Sequence, residues 1–228
     1  MIRLVHGLVI LGGVLIAPAG AQTPPSAAEI AAYQDLHLAA ARGDVAATRQ
    51  ALAAGARPSL TDAHRRSPLH VAAHFGHGEV ARILLEAGAD PRTLDAQEYD
   101  IVTIAAVRND LAFVQLALQL GADAKAITSP YRGTALIAAA HLGHSAVVRE
   151  LIRAGAPLDH VNNLGWTALI EAIVLGDGGA RHTQCVKSLL EAGANPNLPD
   201  AAGRSPLALA GAREYGEMAR LIAAAGGQ

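Results

Sequence analysis

The sequence predicts an all-α solenoid of six stacked helix-turn-helix units. A fixed period of 33 to 38 residues and two residue types that recur at set places in every period predict this fold. Alanine fills one place six times, and glycine fills a later place six times. The alanines are Ala39, Ala72, Ala105, Ala139, Ala172 and Ala210, and the glycines are Gly55, Gly88, Gly121, Gly155, Gly193 and Gly226.

The composition excludes several classes of protein. The 228 residues are 51% hydrophobic and 17% charged, which is too apolar for a disordered chain. Eighteen Lys and Arg stand against 20 Asp and Glu, so the net charge of −2 provides no basic surface for DNA or RNA, and no nucleic-acid partner is expected. The single cysteine excludes a disulfide within the chain and a multi-cysteine zinc site.

The first 21 residues have the pattern of a secretory signal peptide. Arg3 supplies a positive start, residues 4–16 form an apolar run, and Ala19-Gly20-Ala21 is a small-x-small cleavage site before Gln22. The alternative is a retained membrane anchor, but Pro18 and Gly20 interrupt the stretch where a span of about 20 residues would have to continue. We therefore expect cleavage after Ala21, no stable membrane anchor afterwards, and a periplasmic or secreted chain.

Residues 22–33 form a leader and the start of the first helix. Pro24 and Pro25 indicate a flexible segment over residues 22–26. Ser26 followed by Glu29 has the spacing of a capping box, in which the two side chains bond each other's backbone amides.

Each repeat unit begins at a residue that suits a helix N-terminus. These residues are Gln34, Ser67, Asp100, Thr134, Thr167 and Ser205, and they divide the chain into units 34–66, 67–99, 100–133, 134–166, 167–204 and 205–228. Pro68 and Pro206 follow two of them, at a position where a missing amide does no harm. The glycines suit a left-handed residue that ends the second helix, and the alanines indicate a close approach of two helices.

The second unit resembles an ankyrin repeat. Ser67-Pro68-Leu69-His70-Val71-Ala72-Ala73, then Gly76-His77, then Ile83-Leu84-Leu85-Glu86-Ala87-Gly88-Ala89-Asp90 carry the likeness, which extends over residues 34–228. The resemblance implies β-hairpin-like loops that project from the helices, a concave side formed by hairpins and first helices, and a capping function for the last unit. The chain resembles small exported bacterial ankyrin proteins, and we expect a monomer.

Three segments depart from the repeat. The hairpin at residues 126–132 contains one inserted residue. The third unit lacks the Thr-Pro-Leu-His signature, which predicts an irregular unit. The fifth unit has five extra residues, near 175–183, which we expect to lengthen the turn between its two helices and to keep it mobile unless something orders it.

Cysteine and histidine allow a chemical interpretation and a structural one. Cys185 is a possible nucleophile, but its register is apolar in the other units, which favours a small buried residue. His77 and His144 fit the Gly-His position of the family, and His70 fits its inward position. His74 and His141 correspond across two units, so stacking separates them by about 20 Å. No metal or cofactor is therefore expected.

The glycine-rich turn Gly176-Asp177-Gly178-Gly179 has three interpretations. Its amides are able to hold an anion, but the lysine and preceding strand of a nucleotide-binding loop are missing. It is alternatively a recognition loop, with Asp177, Arg181 and His182 as polar groups, or a tolerated insertion.

The positions that the repeat leaves variable are the candidate binding residues. Aromatic and arginine side chains are frequent among them, as in protein-binding hot spots. They are Arg66, His74, Phe75, Tyr99, Arg108, Tyr131, Arg132, His141 and Trp166, with Asp177, Arg181 and His182 of the fifth unit. An alternative for Tyr99 and Trp166 is that they only cover apolar surface between hairpins.

These observations predict an exported, non-enzymatic protein that binds a protein or an extended peptide along its concave side. One alternative is a small-ligand-binding or catalytic protein that uses the fifth unit's loop, which requires a deep pocket and a strongly shifted pKa there. Another is a secreted effector acting on a host protein.

Overall fold

The computed structural model describes residues 10–11, 14–15 and 22–228. The predicted signal peptide and its cleavage site lie largely outside the described residues. Two short strands, β1 (Ile10–Leu11) and β2 (Val14–Leu15), pair antiparallel with Ile10 opposite Leu15.

The remainder of the described chain is helical. The helices are α1 (Ala27–Ala32), α2 (Asp35–Arg42), α3 (Val45–Ala53), α4 (Pro68–Phe75), α5 (Gly78–Glu86), α6 (Ile101–Val107), α7 (Leu111–Gln119), α8 (Ala135–His141), α9 (Ser145–Arg153), α10 (Ala168–Val174), α11 (Ala180–Glu191), α12 (Pro206–Gly211) and α13 (Gly216–Ala224). From α2 onward they form six antiparallel pairs, which confirms the predicted solenoid. The first helices pack on one another in chain order, and the second helices form a parallel outer layer.

The predicted helix starts are confirmed at all six units. Gln34, Ser67, Asp100, Thr134, Thr167 and Ser205 are the N-caps of α2, α4, α6, α8, α10 and α12. Five of these side chains accept a hydrogen bond from the amide three residues later, and Gln34 makes no such bond. Asp100 gives the third unit a regular start, and the irregularity expected of this unit lies in its hairpin, where Ser129 and Arg132 have left-handed φ values of +72° and +53°.

The recurring alanines and glycines have the predicted structural functions. The alanines lie in the layer of first helices, and five of the six have no exposed surface. At Gly88 the backbone φ is +90°, and a Cβ there would meet no atom within 4 Å. Glycine is therefore required at the end of the second helix because of the left-handed backbone conformation, and not because a side chain would clash with its neighbours.

Backbone hydrogen bonds join the first four hairpins of the stack to one another. Ala96 N donates to His64 O at 2.9 Å, and Asn163 N donates to Tyr131 O at 3.0 Å. At the irregular hairpin the corresponding bond runs from Ser129 N to Glu98 O at 2.7 Å. The hairpins are consequently held by the same repeat that stacks the helices.

Two segments differ from expectation. Residues 22–26 pack on the first hairpins instead of extending freely, since Pro25 is buried and Thr23 N donates to the Gln97 side chain at 3.1 Å. The insertion in the fifth unit is divided between a turn and an additional helical turn, because α11 has 12 residues where α9 has 9. Among the described residues, no helix has both the length and the apolar character needed to cross a bilayer.

Candidate functional site

We use the term concave face for the side of the stack formed by the hairpins and the first helices. Five of the predicted binding residues are buried, so the expectation of exposed side chains is wrong for Arg66, His74, Tyr99 and Trp166 and for His182 in α11. Phe75, Tyr131 and His141 are half-buried. Arg108, Arg132, Asp177 and Arg181 are exposed.

Arg66 is the centre of a polar cluster beneath the leader. Its guanidinium donates to Asp62 Oδ2 at 2.8 Å and to a carboxylate oxygen of Glu29 in α1. Burial acts to lower the pKa of Arg66, but the bonds to both carboxylates hold it above its usual value. Hydrogen bonds from Ser26 lower the pKa of Glu29 to about 2, so both charges persist at neutral pH. A buried charge pair with these partners fixes the leader on the first hairpin.

Tyr99 and Trp166 have the covering function that the sequence offered as an alternative. Each lies one residue before a helix cap, and their amides donate to Asp95 Oδ1 at 2.9 Å and to Asn162 Oδ1 at 3.0 Å. Both rings belong to the continuous apolar core, and Trp166 is 8% exposed. Their rings therefore support the hairpins from below.

A recurring contact fixes four first helices, α4, α6, α8 and α10, to the unit that follows each of them. The turn between the two helices of one unit supplies a side chain that lies against the last carbonyl groups of the preceding first helix. The pairs are Arg108 with His74 O, His144 with Ala106 O, His182 with His141 O, and Arg213 with Val174 O. Such groups satisfy the unpaired carbonyls at a helix C-terminus. Arg108 and His182 therefore have structural functions in addition to any part in binding.

The inserted turn of the fifth unit is ordered by its own polar residues. Asp177 Oδ1 accepts from Gly179 N at 2.9 Å and lies 2.8 Å from His182 Nδ1. Tyr215 donates its hydroxyl to Gly176 O at 3.0 Å, which attaches the turn to the last unit. These bonds explain why the turn is ordered, although its three glycines led us to expect from the sequence that it would be mobile unless something ordered it.

The exposed part of the concave face is concentrated at the hairpins. Tyr131 is half-buried and Arg132 is exposed, and both lie in the irregular hairpin, where Arg132 has a left-handed φ of +53°. The exposed large hydrophobic residues found in the described chain are Leu60, Ile127 and Val161, at 46 to 47% exposure, and all three come from hairpins. Sequence reasoning missed them, although large apolar residues in otherwise polar turns are a visible signal.

Glu171 is a further residue that the sequence analysis missed. It lies within α10 and is 4% exposed, and burial raises its pKa to about 7. Its Oε1 accepts from Asn162 Nδ2 at 2.9 Å, and its Oε2 lies 3.5 Å from His141 Nδ1. A charged residue type inside the otherwise apolar helix Ala-Leu-Ile-Glu-Ala-Ile-Val was the available signal.

The residues considered for metal binding and nucleophilic catalysis have structural positions. His70 Nδ1 lies 2.8 Å from Ser67 Oγ and its Nε2 lies 3.1 Å from Thr93 O, so both ring nitrogens have partners. Cys185 is fully buried, and burial raises its pKa to about 11, which opposes thiolate formation. The described part of the chain contains no group of three His, Cys, Asp or Glu side chains placed to hold a metal ion.

A cavity lies at the opposite end of the stack from the inserted turn. Its volume is about 480 Å³, and it lies between the start of α2 and the first hairpin. Tyr33, His37, Leu60 and Asp62 are among its lining residues, whereas Asp177 and His182 are not.

The stacked pairs, their hairpins and their caps define a helical repeat protein of the ankyrin type. The family model for ankyrin repeats in three copies matches residues 33–95 and 102–200, which is more than half of the chain. The chain therefore belongs to the ankyrin-repeat family, a family of protein-interaction scaffolds.

Known proteins with the same repeat support this assignment. The ankyrin repeat protein YahD of Escherichia coli (strain K12) is 43% identical over 97 residues, which are 42% of this chain and 48% of YahD. The chain thus spans about half the length of that relative. A crystal structure of an ankyrin repeat domain from Acinetobacter baumannii AYE is 42% identical, with a TM-score of 0.81, covering 85% of this chain and 98% of that one. The human ASB11 ankyrin repeat domain is 27% identical, with a TM-score of 0.71, covering 86% and 85% of the two chains.

Proposed function

We propose that the chain is an exported, non-enzymatic ankyrin-repeat protein that binds another protein, or an extended peptide, through its concave face. The observation that carries the proposal is that the exposed large hydrophobic residues found in the described chain, Leu60, Ile127 and Val161, all lie in hairpins, namely the first, third and fourth. Exposed apolar residues collected on one surface are characteristic of protein-binding sites. Tyr131 and Arg132 lie in the third hairpin and are of the types that dominate binding energy.

The rigidity of the face favours binding over catalysis. Hydrogen bonds between the first four hairpins, and from side chains of four units to the preceding first helix, hold the backbone in place. A surface ordered before binding loses little conformational entropy when a partner arrives. The alternative of a ligand site in the fifth unit requires a deep pocket, whereas Asp177 is exposed and lies outside the described cavity.

Capture from a cell-envelope extract tests the proposed surface. Tyr131→Ala and Ile127→Asp should each reduce the captured partner at least tenfold, as expected for loss of about 1.4 kcal/mol or more. Gln119→Ala is the matched control, because Gln119 is exposed on α7 in the outer layer. Equal capture by all variants, or equal loss in the outer-layer control, would place the partner elsewhere.

Export is the second part of the proposal. Removal of residues 1–21 would leave intact the contact of Thr23 with Gln97 and all later contacts of the leader. N-terminal sequencing of the protein from a periplasmic fraction should begin at Gln22, and light scattering should give the mass of a monomer. A cytoplasmic protein with Met1 retained would refute export, and an adduct with a host protein would support an effector role.

A further inference from the structure

The hairpins share one hydrogen-bond pattern that closes each turn. Asp62, Asp95, Asn162 and Asp200 occupy the same place in four hairpins, and each side-chain Oδ1 accepts from the amides two and four residues later. The first of these bonds measures 2.8, 2.8, 3.0 and 3.0 Å, and the second 2.9, 2.9, 3.0 and 2.9 Å. Asp and Asn side chains commonly close turns in this way.

Asn162 has an amide side chain where the other three residues have a carboxylate, and its neighbours explain this difference. Its Nδ2 donates to Glu171 Oε1 at 2.9 Å, so the residue uses its oxygen for the hairpin and its amide for α10. Asp62 and Asp200 instead present their second oxygen to arginine, Arg66 and Arg204. An aspartate at 162 would face another carboxyl group. The residues equivalent to Glu171 in the other five units are Leu38, Val71, Ile104, Ala138 and Leu209.

Only one oxygen of Glu171 is satisfied. Its Oε2 is buried without a hydrogen-bond partner, and His141 Nδ1 lies 3.5 Å away. Burial, together with the neighbouring His182 and His144, lowers the pKa of His141, while burial raises that of Glu171 to about 7. Near pH 7 His141 is therefore neutral and Glu171 is about half protonated, so the contact between them is not an ion pair. The observed arrangement suits the protonated acid, because an ionised carboxylate with an unbonded oxygen is costly in an apolar layer.

The charged surroundings of Glu171 offer no fixed cation at this oxygen. Helix α10 packs against α8, α11 and α12. The titratable or charged groups on these elements and their adjoining turns include His141, His144, Asp177, Arg181, His182, Cys185, Lys187, Glu191, Asp200, Arg204, Arg213, Glu214 and Tyr215. Of these, His141 is the one within ion-pair distance of Glu171.

We propose that a proton on Glu171 holds the Asn162 hairpin, residues 162–166, against α10, and that loss of the proton loosens this hairpin and weakens partner binding on the concave face. The hydrogen bond from Asn162 acts to lower the pKa of Glu171, but burial raises it by more, so ionisation favours entry of water beside Oε2 and opening of the contacts with His141 and Asn162. The same Asn162 fixes the amides of Leu164 and Trp166, so the disturbance reaches the hairpin directly. Only the effect on binding rests on the proposed function; the motion of the hairpin does not.

Trp166 makes the hairpin motion measurable, because it is the single tryptophan of the chain. Emission and acrylamide quenching of the purified chain are followed from about pH 5 to about pH 9. The wild type should show a one-proton transition near pH 7, with Trp166 more accessible at high pH. Glu171→Gln, which mimics the protonated acid, should keep the low-pH signal throughout. A flat wild-type titration, or an unchanged transition in Glu171→Gln, overturns the proposal.

Two controls assign the transition to the carboxyl group. Glu150→Gln alters another buried glutamate, which is paired with Arg153 and Gln115 on the outer side, and should keep the wild-type transition. The His141→Asn variant should also keep a transition. If the transition disappeared in His141→Asn but persisted in Glu171→Gln, the titrating proton would belong to the histidine. An infrared band of a protonated carboxyl group at about pH 6, absent from Glu171→Gln, should disappear with the same midpoint as the Trp166 transition. If the infrared band and the Trp166 transition had different midpoints, loss of the carboxyl proton would not be the cause of the hairpin motion.

Binding is then measured with the protein captured from the envelope extract. Its affinity for the wild type should fall by up to about tenfold per pH unit above the transition, and Glu171→Gln should remove the fall. Unchanged affinity across the transition refutes the regulation. Absence of any captured protein at every pH refutes the proposed function, while the Trp166 transition tests the hairpin motion independently.

Discussion

His182 Nε2 lies 2.9 Å from the backbone carbonyl oxygen of His141, 41 residues earlier in the chain. This contact joins the insertion of the fifth unit to the first helix of the fourth. The other ring nitrogen of His182 lies 2.8 Å from Asp177 Oδ1, so one side chain connects the inserted turn, α11 and α8. The insertion is therefore a fixed part of the stack.

His182→Ala should destabilise the protein by about 2 kcal/mol, because it leaves a buried carbonyl group without a partner. Urea unfolding measures the loss, and hydrogen exchange should show faster opening of residues 176–182. Arg181→Ala, at the exposed neighbouring position, should stay within about 0.5 kcal/mol of the wild type. Equal effects of the two substitutions would contradict the structural function of His182.

Ala72→Leu should reduce the free energy of unfolding by about 1–3 kcal/mol. Ala72 has no exposed surface and lies in the layer where first helices stack, so a larger side chain must displace its neighbours. Ala223→Leu, at an exposed position of α13, is the control and should have little effect. If urea unfolding shows both variants to be as stable as the wild type, close packing at the alanine positions is refuted.

Glu29→Ala should destabilise the first unit by about 1–2 kcal/mol, through loss of its bond to the buried Arg66 and of the capping box. Thermal unfolding and proteolysis of the leader provide the measurement. Glu79→Ala, whose ion pairs with Arg49 and Arg82 are exposed, should cost less than about 0.5 kcal/mol. A leader no more susceptible to protease in Glu29→Ala would argue against the Arg66 cluster.

Glu171 gives the stability of the fold a distinctive pH dependence. Its pKa is raised by burial from 4.5 to about 7, so the folded state binds the extra proton between these values. The contribution is complete below pH 4.5 and is lost as the pH rises through 7, a difference of about 3 kcal/mol. His74 acts in the opposite direction: burial lowers its pKa from 6.5 to about 4, so its contribution is lost as the pH falls through that range.

Chemical unfolding at several pH values separates the contribution of Glu171 to the free energy of unfolding from that of His74. The wild type minus Glu171→Gln difference isolates the carboxyl group and should fall between about pH 4.5 and about pH 7, then level off. A difference that is constant with pH would mean that Glu171 does not bind a proton on folding.

Local features of the fold were predictable from the sequence. The N-caps and the glycine C-termini depend on residues within one turn of the helix end, so the sequence around Ser67 or Gly88 contains the necessary information. The register of Cys185 among apolar residues likewise predicted its burial.

Long-range contacts were not predictable in the same way. Arg66 and Trp166 occupy variable positions, which the repeat pattern marks as surface, yet Glu29 and the apolar core bury them. The extra residues of the fifth unit lengthen α11 because His182 finds partners at Asp177 and His141, which lie outside the helix. Glu171 escaped notice because a glutamate normally indicates a solvated helix face, although its register aligned it with Val71 and Ile104.

Site-directed photocrosslinking in intact cells tests the binding surface most directly. A photoreactive phenylalanine analogue replaces Tyr131 on the concave face in one variant and Gln119 on the outer layer in another. The account predicts a specific adduct from position 131, with none from position 119. An adduct from position 119 alone, or no adduct from position 131, would contradict the claim that this face holds the partner.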